Sequence, residues 1–123
     1  MADQSPSIFV ANIGALSNAL LPLFRVPAGF GGITILSVES TFLTAGTTQL
    51  YLIDGGTAGT ATTGGTLATS GTAHAAKTPV AWTVTSGATG GYLAEGMYLA
   101  VKEGNVGTTV TVTEVAIKYR FGK

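Results

Sequence analysis

The sequence predicts an all-β fold: an antiparallel β-sandwich or barrel, with an extended N-terminal arm. Three observations predict it. Short runs of alternating apolar and polar residues recur between glycine-rich turns. No stretch sustains the 3.6-residue apolar period of a helix that packs on a core. Thr (20) and Gly (18), with Val and Ala, stand where a helical domain would place Leu, Glu and Lys. A chain of 123 residues fits one domain. At that size roughly two thirds of the unfolded surface can be buried. Residues 1–18 read as a tail and apolar arm, and residues 19–123 as the sandwich.

Each element follows from local pattern. Ile8 to Val10 is an apolar run that fits a strand or a docking arm. Ala19 to Val26 reads as extended, and Pro22 places it at a sheet edge or a bulge, because proline has no N–H to give a ladder. Pro27 to Gly32 is a turn by composition. In Ile33 to Leu43, Leu36, Val38 and Phe42 alternate with Ser37, Glu39 and Thr41, the pattern of a strand with one wet face. Thr47 to Ile53 is a further strand, closed by Asp54-Gly55-Gly56. Residues 55–79 are Gly, Thr, Ala and Ser with one large apolar side chain, Leu67. A long structureless loop is uncommon in a compact domain, so a short strand at Thr66-Leu67-Ala68 is favoured over a flexible loop.

Val80, Trp82 and Val84 alternate with Ala81, Thr83 and Thr85, which makes Trp82 a core anchor. Met97, Leu99 and Val101 form the inward side of the next strand. In the last, Thr108 to Phe121, the apolar residues change parity: Val110 and Val112 are even, Val115, Ile117, Tyr119 and Phe121 odd. One regular strand cannot turn both sets to the same face, so a bulge near Thr113-Glu114 is expected. The alternative is a central strand buried on both faces.

Charge is the outstanding feature of the composition. Only 12 residues are charged, six of each sign, giving a net charge of zero; ordinary domains run about 25% charged. Such a surface has little to oppose self-association. Zero net charge argues against nucleic acid or an anionic membrane as partner. Lys118, Arg120 and Lys123 cluster near the C-terminus and read as a solvated strand edge. With no cysteine there is no disulfide framework and no thiolate metal site. Met1 to Pro6 has no basic start of a signal peptide. The apolar stretch Ile8 to Phe24 is broken by Asn12, Ser17, Asn18 and Pro22, and falls short of the roughly 20 residues a membrane helix needs.

No constellation for catalysis stands out, so neither an enzyme nor a cofactor is expected. His74 is the only histidine and has no acidic neighbour in sequence, which fits an exposed loop histidine better than a triad or metal ligand. Asp54, Glu95 and Glu103 fall in expected turns and read as solvated carboxylates rather than a catalytic pair. Gly29-Phe30-Gly31-Gly32 lacks the Lys-Ser/Thr of a phosphate loop. Trp82, Tyr51, Tyr92 and Tyr98 could line a sugar-stacking platform, or serve as core and interface packing.

Two segments, Phe24-Arg25-Val26-Pro27-Ala28-Gly29 and Gly32-Ile33-Thr34-Ile35-Leu36-Ser37-Val38-Glu39, resemble the opening of small structural proteins of tailed bacteriophages. Gly96-Met97-Tyr98-Leu99-Ala100-Val101 and the closing strand with Tyr119 are similar to their later parts. The resemblance spans about residues 20–121 and lies in texture and strand order, with no motif that carries site residues across. It implies a head decoration (cement) protein, an all-β, jelly-roll-like antiparallel β-sandwich seated on the virion capsid surface and made in the host cytoplasm. Its partners would be the major capsid protein and further copies of itself, a trimer being favoured, with no nucleic acid and no membrane. Residues expected at protein interfaces are Ile8, Phe9 and Val10 of the arm, with Leu20 and Leu21; equally, these could complete the subunit's own core. A head-fibre or tail component, or a carbohydrate-binding β-sandwich module, is the alternative.

Overall fold

A computed structural model describes residues 6–17, 20–44, 46, 49–61, 64–71, 75–85, 90–104 and 109–123. They form eleven strands and no helix: β1 (Ser7–Ala11), β2 (Gly14–Ser17), β3 (Leu20–Arg25), β4 (Ile33–Phe42), β5 (Leu50–Asp54), β6 (Thr66–Thr69), β7 (Pro79–Ala81), β8 (Thr83–Val84), β9 (Tyr92–Leu93), β10 (Tyr98–Glu103) and β11 (Thr109–Phe121). Two antiparallel sheets pack face to face. One runs β1–β11–β4–β7, with β2 also on β11 and β9 also on β4. The other runs β3–β10–β5–β6–β8. The pairs are nested like one long folded hairpin: β1 with β11, β3 with β10, β4 with β7, β5 with β6.

The core fills the space between the sheets. Ile33, Ile35, Val38, Phe42, Val112, Val115 and Ile117 come from one sheet. Leu50, Leu52, Leu67, Leu99 and Val101 come from the other. The expected bulge in β11 is present. Val112 pairs with Phe42 and Glu114 with Thr41, so Thr113 is the extra residue. Its insertion turns Val112 and Val115 to the same buried face, which resolves the parity conflict. A second shift, which the alternation alone did not show, lies in β4: Tyr119 pairs with Ile35 and Lys118 with Ser37, leaving Leu36 unpaired. Leu36 is half-buried rather than core, and Ile35 takes the buried place expected for it. Pro22 sits on the edge strand β3, beside a register shift opposite Leu99 and Ala100, where its missing N–H breaks no ladder.

The expected strand through Trp82 divides there. β7 pairs with β4 in one sheet and β8 with β6 in the other, so the chain changes sheets at the indole. Trp82 is 7% exposed, and its Nε1 donates to Ser40 Oγ at 2.8 Å inside the core. A buried indole with its N–H satisfied makes a strong anchor. The short strand expected in the Gly/Thr/Ala stretch is β6. Glu103 departs from expectation: it ends β10 opposite Leu50 and is buried, not in a solvated turn. Asp54 ends β5 and is half-buried; its carboxylate accepts a hydrogen bond from the Gly56 N–H at 2.8 Å. His74 lies outside the described residues.

Candidate functional site

The sandwich has two lateral openings, and the one between β1 and β3 gathers most of the features that composition alone left unassigned. β1 and β2 pair with β11 in one uninterrupted register, from Ser7 opposite Tyr119 to Ser17 opposite Thr109. Together they form one long edge strand interrupted only at Asn12-Ile13. Side chains alternate along it. Phe9, Ala11 and Ile13 turn inward and pack against the core. Ile8 and Val10 turn outward and are 66% and 55% exposed.

Behind this edge, five aromatic rings join the two sheets. Phe9 of β1 lies 4.9 Å from Phe24 of β3, and Phe24 lies 5.7 Å from Tyr119 of β11. Tyr119 meets Phe121 edge-on at 5.6 Å, and Phe121 meets Phe30 at 4.6 Å. Each such pair contributes about 0.5–1.5 kcal/mol beyond its buried area. Phe9, Phe24, Tyr119 and Phe121 are half-buried, and Phe30 is 54% exposed. Four of the five phenylalanines therefore line this opening, while Phe42 alone fills the core.

The loop carrying Phe30 is fixed by a carboxylate. Glu95 Oε2 accepts the N–H of Gly29 at 2.7 Å and that of Gly31 at 2.8 Å. Both glycines have positive φ, 95° and 77°, a conformation that turns neighbouring N–H groups toward one acceptor. These bonds, Gly31 foremost and then Gly29, hold the Glu95 carboxyl below the usual glutamate range. Tyr92 Oη donates to the Gly31 carbonyl at 2.8 Å, and Gly122 N–H donates to the Gly32 carbonyl at 2.8 Å. The end of β11 and the loop are thereby tied together, with the Lys123 ammonium 4.9 Å from the Tyr92 ring centre.

The five residues expected at an interface are split by this geometry. Ile8 and Val10 face outward; Phe9 joins the aromatic chain and Leu21 packs on the core; Leu20 is half-buried at the start of β3. From sequence, Glu95 reads as a solvated turn carboxylate, Tyr119 and Phe121 as strand residues and Phe30 as part of a turn, and none of them as a contact residue. A phenylalanine placed among Gly29, Gly31 and Gly32 was the available signal, since a turn seldom needs a large apolar side chain. The sugar platform loses Trp82 to the core. Tyr51 bonds Gln49 Oε1 at 2.9 Å, and Tyr92 bonds the loop. Among the described residues no group of three or more His, Cys, Asp or Glu is placed to hold a metal ion. What the arrangement offers is contact: an apolar strip on an open strand edge, backed by partly covered rings. No protein-family model matches the chain, and neither a curated protein nor a solved structure matches it significantly.

Proposed function

We propose that this chain is a virion structural protein, a decoration (cement) subunit that sits on the head of a tailed bacteriophage and reinforces its shell. Its partners on this reading are the major capsid protein and further copies of itself. The observation that carries the reading is the pairing of a charge-poor composition with a bare apolar edge: 12 charges in 123 residues, none between residues 4 and 24, and Ile8 and Val10 exposed together on β1. A surface of this kind is suited to being covered by neighbouring proteins. The nested strand order supports a jelly roll. With β1 and β2 merged, the main strands fall in the order first, eighth, third, sixth in one sheet and second, seventh, fourth, fifth in the other.

The work is mechanical. Subunits that bury apolar side chains across the joints of a shell raise the free energy of separating its parts. Ile8 and Val10 are small anchors, since fully burying one such side chain contributes about 1.5–3 kcal/mol. Weak contacts suffice because a shell repeats them many times at high local concentration. The test is co-sedimentation of the purified chain with phage heads stripped of decoration. Saturable binding is expected, weakened at least tenfold by Ile8→Ser with Val10→Ser. A folded chain that binds no head overturns the reading, and a glycan array with clear hits would move it to the carbohydrate-binding class.

A further inference from the structure

The exposed edges of the two sheets are not treated alike. The β3 edge carries Pro22 and a register shift. The β7 edge is three residues long and begins with Pro79; β9, beside it on β4, and β8 each have two residues. Proline, irregularity and shortness are the devices that stop strand edges from pairing with other chains. The β1–β2 edge has no proline, and its one irregularity is the break at Asn12-Ile13, followed by Gly14 at a φ of 78°. It runs from Ser7 to Ser17 in one register, contains no charged residue, and among the described residues nothing pairs with its outer side.

We infer that this edge is a pairing site for the same edge of a second copy, the two β1 strands running antiparallel about a two-fold axis. The inference supplies the contact for the self-association included in the functional reading, and it stands whether or not the partner shell is a phage head. Three properties of the strip select a second copy. Its unpaired backbone groups need a strand of matching length, and β1–β2 offers one to itself. Antiparallel pairing about a two-fold sets only the residues next to the axis opposite their own counterparts, so a charge at the centre of the strip would meet a like charge; this strip has none. The same pairing brings the outward Ile8 and Val10 of one copy beside those of the other on the outer face of the joined sheet, where the two most exposed large apolar side chains among the described residues form one apolar patch still open to a shell. Charge elsewhere does not oppose approach, because the net charge is zero. The unit is therefore a dimer, in place of the trimer the resemblance favours.

The test is self-association of the full chain without any particle. Sedimentation should show a concentration-dependent monomer–dimer equilibrium, with amides of β1 gaining hydrogen-exchange protection as the concentration rises. The variant Ile8→Glu with Val10→Glu should weaken dimerisation at least tenfold. Its fold should be kept, because residue 8 lies opposite Lys118 on β11 and the new carboxylate gains that partner. Trp82 fluorescence checks that the core is intact. Ala81→Lys, at an exposed position of β7 on the opposite edge of the sheet and facing Glu39 on β4, should leave the equilibrium unchanged. The inference is overturned by a monomer at all concentrations, by a trimer, or by a dimer that the β1 glutamates leave intact. Loss of head binding with the dimer retained would instead count against the functional reading alone.

Discussion

The two lateral openings of the sandwich are closed in opposite ways. At the β7–β8 side one indole does most of the closing: Trp82 sits between the sheets, 7% exposed, with its N–H bonded to Ser40. At the β1–β3 side the closing group is a run of five rings, four of them half-buried and Phe30 more open still. A buried, hydrogen-bonded anchor gives its full stabilisation inside the subunit. Half-covered rings give only part, and keep the remainder for whatever comes to cover them. The first side is complete within the subunit; the second leaves ring surface uncovered.

Substitutions can sharpen or break this contrast. The largest effect is expected at Trp82→Ala, with a loss of about 3–5 kcal/mol in denaturant unfolding. Next comes Phe24→Ala, in the middle of the ring series: about 1–3 kcal/mol, less because the site is half-open and its neighbours can settle into the gap. If Phe24→Ala proved as costly as Trp82→Ala, the two sides would be equivalent and the contrast would fail.

The smallest effect is local and acid-dependent. Glu95 has a folded-state pKa below its unfolded value. Its contribution is therefore fully present above the ordinary glutamate pKa of about 4.3, and is lost as the pH falls through the lowered folded value. Amide signals of Gly29 and Gly31 should move in that acid range while Trp82 stays unchanged. Glu95→Gln should abolish the acid-dependent movement.

What could be read in advance depended on how local the cause was. The β11 bulge was visible because the parity of Val112 and Val115 lies within one strand. Trp82 was recognisable as an anchor from its neighbours Val80 and Val84, yet the change of sheet at that residue was not, because it depends on β4 and β6 as partners. Leu36 misled for a similar reason: its alternation with Ser37 and Glu39 is real, but pairing with β11 inserts it as an extra residue. The ring series was hidden because Phe9, Phe24, Phe30 and Tyr119 meet only after β1, β3 and β11 are brought together. Glu103 looked like a turn residue from the glycine that follows it, and only the strand pairing with β5 shows it buried.

The separation of β1 from β11 along the chain also bears on synthesis. During translation the segment Ser7–Ser17 leaves the ribosome about ninety residues before the strand it pairs with, some 5–20 seconds at ordinary elongation rates. Throughout that interval an uncharged, largely apolar stretch has no permanent place to go. Expression yield, and the demand for chaperones on the nascent chain, should accordingly respond to substitutions at Ile8 and Val10 that leave the fold of the finished subunit intact.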